Sequence, residues 1–523
     1  RQERRVLEFQ RNAIADLATA WAEAVAVNGL ASPDEWLERL EKTSVADVSR
    51  VARQYLDLDH AVTARVTPAH SGKPVTSANF GGREALTLGT GQPTKLPAWA
   101  EQALGRLSVP DSTLHPVVSS LPNGITLIVQ PEEISDTVSV YGHIKNRPEL
   151  EVPPGKDGLS PIVDELLGYG SETLDRVAFQ KALDDVGADV QAGTDFSLHA
   201  LSGDFERGLE LLADNELHPG LPKDAFEIVK RQLAEKTAGR LKSPDYLATR
   251  ALHAALYPKG DPVLRQALPS TIAPLTIADA RDFYRKSYRP DLAIIVVIGK
   301  VSVERARAAI EKYFGSWRAE GAKPEVLLPP VPASRGSATS VPDASRVQNR
   351  VTIAETLPLL RSDSDYYALA LGNSVLGGAF YSTRLYRDLR KERGLVYFVE
   401  SMLEAGRTRS LYVVQYACDP ANVSKVRALV VRELKDMQTK PVGAQELQQA
   451  KALLLRAIPL DEADVDAIAR GLIARAALEL PLDEPTRAAE RYVALSSAEV
   501  EAAFAKWLRP DDLALVSQGP PPR

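Results

Sequence analysis

At 523 residues the chain exceeds what one hydrophobic core holds, so two or three domains are expected. It is 44% apolar and 25% charged, with a net charge of -6, the balance of an ordinary soluble globular protein. No clustered basic face marks a nucleic-acid binder, and the longest apolar run, residues 292–299, is far too short to span a membrane. The single cysteine, Cys418, excludes an intrachain disulfide and a thiolate zinc cluster, and reads as a small buried hydrophobe.

The chain opens on Arg1-Gln2-Glu3-Arg4-Arg5 with no initiator Met and no apolar signal core, as a processed or excised fragment would. Residues 1–29 read as one long helix ending at Gly29, and residues 33–40 as a second. Ser44 and Asp47 then open a capped helix to Leu56, followed by an expected strand over 61–66. The same unit recurs. Thr276 and Asp279 open a helix to Tyr288, and Arg289-Pro290-Asp291 turns it into a strand over 292–298. Ser496 and Glu499 open another, and Arg509-Pro510-Asp511 turns it into a strand over 513–517. The capping residues lie 232 and 220 residues apart, a spacing of whole domains rather than of a solenoid. The expected class is therefore α+β, with tandem homologous domains, each an antiparallel-rich sheet covered by helices. The expected division is 1–67 as the end of a preceding domain, 68–112 as linker with a short helical patch at 99–107, 113–318 as a full domain, 319–345 as a Pro-rich linker, and 346–523 as a second full domain.

Within the first full domain, Asn123-Gly124 predicts a tight turn into a strand, Val138 to Ile144 a second strand, and Leu159 to Gly168 a helix. Within the second, the run from Gly377-Gly378 to Val399 reads as a glycine loop, a basic amphipathic helix with Leu385 and Leu389 on one face, a left-handed stop at Gly394 and a strand. A tight helix-to-strand turn brings the tips of Arg390 and Tyr397 to one place.

These stretches resemble the insulinase/pitrilysin-like zinc metallopeptidases, the M16 family. The resemblance rests on Leu121-Pro122-Asn123-Gly124 with 158–167, and on Leu376-Gly377-Gly378 through Arg390 and Tyr397. It covers essentially the whole chain, as the tail of a second domain plus a third and fourth. In the family two His and a Glu on one helix hold zinc and activate water. In that register this chain has Pro161, Asp164 and Glu165, with Glu235 at the remaining ligand position, and none of the seven histidines is paired at i, i+4. No zinc site is expected in this chain. The resemblance implies that Arg390 and Tyr397 bind substrate and stabilise the tetrahedral intermediate, and that Gly377 and Gly378 approach the substrate backbone. It implies a heterodimer in which an HxxEH-bearing partner half carries zinc and the peptide substrate is unfolded, this chain alone being inactive. The alternative is a catalytically inactive homologue serving as scaffold or peptide-binding subunit. A bacterial periplasmic or secreted location is the expected compartment.

Overall fold

The computed structural model describes residues 2–65, 97–99, 105–379 and 381–521. Among the described residues, eleven strands form two sheets. The first holds β1 (Val117–Ser120), β2 (Thr126–Pro131), β3 (Thr137–Ile144), β4 (Asp189–Gln191), β5 (Asp195–Leu201) and β6 (Ala293–Gly299), in the order β1-β2-β6-β3-β5-β4. The second holds β7 (Ser337–Pro342), β8 (Asn349–Leu357), β9 (Val396–Ala405), β10 (Ser410–Cys418) and β11 (Ala514–Gly519), in the order β7-β11-β8-β10-β9. Every pairing is antiparallel except β2 with β6 and β7 with β11. The class is α+β, as expected. The late strands β6 and β11 return to interior positions of their sheets and are buried along their whole length.

The Asn-Gly turn joins β1 to β2, with Gly124 at φ +96° and Ser120 facing Thr126. A side chain at Gly124 would meet the Asp291 backbone at 2.9 Å, so this turn abuts the Pro290 turn that leads into β6. One face of the first sheet packs on its own helices through Leu127, Val129, Val140, Ile162 and Phe205. Its other face, Ile128, Ile294, Val296 and Ile298, is covered by the Val465–Ala477 helix of the second half. The favour is returned: the Pro244–Leu256 helix of the first half lies on the second sheet, with Leu256 against Ala354, Val413 and Ala514. Cys418 is buried in the second core, and burial pushes its thiol up to about 12, making it inert.

Several local expectations change. Residues 2–29 are not one helix: Gln2–Gln10 and Ile14–Ala22 are separated at Asn12, whose amide donates to the Thr137 hydroxyl at 3.0 Å and accepts from Ser135 at 2.6 Å. Residues 61–65 belong to no strand, and Val66 lies outside the described residues, as do most of 67–112 and most of the helical patch at 99–107. β7 comes from the stretch read as the second connector; the run from Ser337 to Pro342 pairs in parallel with β11.

Candidate functional site

The Arg390–Tyr397 corner is built by a helix wound one residue wide. Tyr386–Glu392 is a π-helical segment rather than the expected α-helix. Leu385 and Leu389 are fully buried beneath it, as their spacing predicts. Gly394, at φ +61°, ends it; its amide donates to the Arg390 carbonyl at 3.1 Å, and the Leu395 amide reaches back to the Leu389 carbonyl at 2.8 Å. The chain then enters β9, the edge strand beside β10. Tyr416 faces Val399 and Cys418 faces Val396, so residues 397 and 398 oppose residue 417 alone. Tyr397 therefore sits in a β-bulge, a device that re-aims a side chain at a sheet edge.

Several other charged side chains of this stretch are tied down. Arg384 donates to Glu446 at 2.8 Å, and Asp388 is buried and accepts from Arg393 at 2.9 Å and Arg432 at 2.7 Å. Arg390 differs. Its Nη1 donates to the Val396 carbonyl at 3.1 Å, and its guanidinium lies over the Tyr397 ring at 5.3 Å, with no ion pair among the described residues. The Tyr397 side chain is 62% exposed. The structure thus brings together the two residues the sequence singled out. A phenol and a cation share one exposed point, both able to donate to an oxyanion.

Gly377 and Gly378 are less free than a glycine loop implies. They close a second π segment, Ser374–Gly378, that packs against β9. A Cβ on Gly377 would come within 2.7 Å of the Ser401 hydroxyl and 3.0 Å of its amide nitrogen, and one on Gly378 within 2.4 Å of the Asn373 amide. Asn373 fixes the contact: it accepts from Ser401 at 2.7 Å and Tyr412 at 2.9 Å, and donates to the Ser401 carbonyl at 3.2 Å. The glycines therefore allow a backbone-to-strand approach, roughly 13 Å along β9 from Tyr397.

The degenerate motif lies elsewhere, on the Leu159–Leu167 helix. Pro161 and Glu165 are exposed, and Glu235 is exposed on the Lys223–Arg240 helix that packs beside it. Asp164 turns inward, accepting from the Tyr288 hydroxyl at 2.7 Å and the Thr194 amide at 2.8 Å. Burial first, and then the Asp164 carboxylate, push Tyr288 well above the ordinary phenol range. Proline offers no ligand atom and Asp164 is consumed by the fold. The residues present do not fit zinc, and no group of three or more His, Cys, Asp or Glu side chains among the described residues is placed to hold a metal.

Fold and site define a two-sheet α+β chain with a half-buried Arg390 beside an exposed Tyr397 and a motif helix unable to ligate zinc. Residues 274–454 match the family described as the peptidase M16 inactive domain. It is 25% identical over 356 residues to an uncharacterized zinc protease of Mycobacterium tuberculosis, spanning 66% of this chain and 80% of that one. A zinc protease of Streptomyces coelicolor is 25% identical over 371 residues, 67% of this chain and 78% of that one. The fold matches a peptidase M16 inactive domain from Pseudomonas fluorescens with a TM-score of 0.70 at 23% identity, over 78% of this chain and 98% of that one. It also matches the periplasmic protease PqqL from Escherichia coli with a TM-score of 0.67 at 15% identity, over 92% of this chain but 51% of that one.

The sequence carried no sign of the π segments or the bulge. Each is a local departure by one extra residue from regular helix or strand geometry.

Proposed function

We propose that this chain is the non-zinc half of an M16-type metalloendopeptidase that degrades unfolded peptides. A partner half carrying HxxEH holds the zinc, which supplies an activated water. Arg390 and Tyr397 donate to the substrate backbone and to the oxyanion that forms on the scissile carbonyl. The observation that carries this reading is the pairing of Arg390 with an exposed Tyr397 at a bulge, while every neighbouring arginine named above is held in an ion pair.

The test is reconstitution. The chain alone should not cleave a fluorogenic unfolded peptide, and mixing with the HxxEH half should give turnover. Tyr397→Phe should lower that turnover about 100- to 1000-fold, the loss typical of one oxyanion donor, with complex formation intact. Wild-type turnover by Tyr397→Phe would sink the assignment. The second reading, a scaffold or peptide-binding subunit, draws on the match to an inactive-type domain. It requires Tyr397→Phe to leave turnover unchanged while peptide affinity persists.

A further inference from the structure

Around an α-helix, residues five apart point about 140° away from each other, so side chains pair at spacings of three or four and not of five. The regular helices of this chain follow that rule, in ion pairs such as Glu35 with Arg39, Asp282 with Lys286 and Arg307 with Glu311. Asp388 and Arg393 break it. They lie five apart, yet the Arg393 Nε donates to the Asp388 Oδ1 at 2.9 Å.

The spacing matches the winding. Tyr386–Glu392 is π-helical, and backbone bonding from each residue to the fifth one on sets residues five apart on neighbouring lines along the axis. The ion pair is therefore a side-chain rung of π spacing, laid across the segment that carries Arg390. Its carboxylate is buried, whereas the Arg393 side chain is 42% exposed. Arg432, on the Val423–Thr439 helix, donates to the second Asp388 oxygen at 2.7 Å and ties the rung to that helix.

The winding decides where Arg390 points. Leu385 is fully buried, and Arg390 follows it by five residues. α-Helical winding would turn Arg390 about 140° from that buried line, out toward solvent. The π winding keeps it beside the line, half-buried, where its Nη1 reaches the Val396 carbonyl at 3.1 Å and its guanidinium covers the Tyr397 ring at 5.3 Å.

We infer that Asp388 is a positioning residue: paired with Arg393 and anchored by Arg432, it holds the segment in its wide winding and so keeps Arg390 against Tyr397. Its effect on turnover passes through Arg390 and rests on the function proposed above; its hold on the contact between Arg390 and Tyr397 does not.

The test reads the contact first and turnover second. 3-Fluorotyrosine at position 397 of the full chain gives a fluorine resonance that senses the Arg390 guanidinium, and Arg390→Ala marks its position without that cation. Arg393→Gln and Asp388→Asn should each move the resonance at least about halfway to that mark, while Arg393→Lys, which keeps the charge, should stay near wild type. Arg393→Gln should melt as wild type does, because its side chain already meets water. In the mixture with the HxxEH-bearing half, Arg393→Gln should lower kcat about 10- to 100-fold, the cost of a misplaced group, and Arg393→Lys should recover most of it. In an Arg390→Ala background Arg393→Gln should cost nothing further, whereas a loss through general destabilisation would persist there. A resonance unmoved by Arg390→Ala, by Arg393→Gln or by Asp388→Asn overturns the role of Asp388, and so does an undiminished further loss in the Arg390→Ala background. Wild-type turnover by Arg390→Ala, or no turnover in any mixture, overturns instead the function proposed above, and the fluorine result then decides the role of Asp388 by itself.

Discussion

The Leu159–Leu167 helix and the Tyr386–Glu392 segment treat their polar residues in opposite ways. On the first, Asp164 points inward and is satisfied by Tyr288 and Thr194. Beneath it Glu216 is fully buried, accepting the Gly193 amide at 2.9 Å, and the Tyr284 hydroxyl donates to the Glu216 carbonyl at 2.6 Å. On the second, the inward-facing Asp388 is likewise consumed, but Arg390 and Tyr397 are left at the surface beside a bulge. A polar side chain with two internal partners serves the fold. One held in place yet still open to solvent is available for a ligand.

Mutation should separate the two regions cleanly. The largest effect belongs to the open corner. Tyr397→Phe should lose turnover in the reconstituted mixture by the factor given above, while its thermal melting stays that of wild type, because an exposed phenol hydroxyl contributes little to stability. The closed region should behave inversely. Asp164→Ala strips the Tyr288 hydroxyl and the Thr194 amide of their acceptor, and two buried unpaired donors cost roughly 2–4 kcal/mol. Urea unfolding should show that loss. Thermal melting of Tyr397→Phe well below wild type, or wild-type stability of Asp164→Ala, would break the contrast.

The recurring capped helix permits the same contrast between its buried and exposed occurrences. Phe283→Ala removes a core ring and should cost roughly 3–5 kcal/mol, whereas Val51→Ala, at the matching position, should stay within about 0.5 kcal/mol in the free chain. Circular dichroism melts of the two variants decide it.

What the sequence revealed was whatever local chemistry determines. The three capping boxes form as read, because each needs only a hydroxyl and a carboxylate three residues apart. Gly394 takes the left-handed conformation, and Leu385 and Leu389 face the core. Arg390 meets Tyr397 because a helix stop followed at once by a strand leaves few other arrangements. Features decided by distant contacts were not legible. The break at Asn12 depends on Ser135 and Thr137, more than a hundred residues away. The exchange of helices between the sheets depends on which apolar faces are left uncovered after each half folds. The glycine pair read as a loop because sequence does not show that Ser401 lies against it.

The last predicted effect concerns acidity, and it tests how closed the first region is. Burial pushes the Glu216 carboxyl well above the ordinary carboxylate range, with the Asp164 charge adding to the shift and the Gly193 hydrogen bond opposing it. Its proton is therefore held in the folded chain at pH values where the unfolded chain has released it. Stability from this group is fully present below the unfolded value, near pH 4 to 5, and is lost as pH rises toward the folded one, by about 1.4 kcal/mol for each unit separating the two. Carboxylates held low, such as Asp279 and Asp136, act in the opposite sense but at lower pH, so they do not mask the slope above pH 5. Urea midpoints should fall between pH 5 and pH 8 in the wild type, and Glu216→Gln, which keeps the shape without the charge, should flatten that fall. An equal fall in both proteins would mean that water reaches Glu216, and that the first region is more open than its hydrogen bonds indicate.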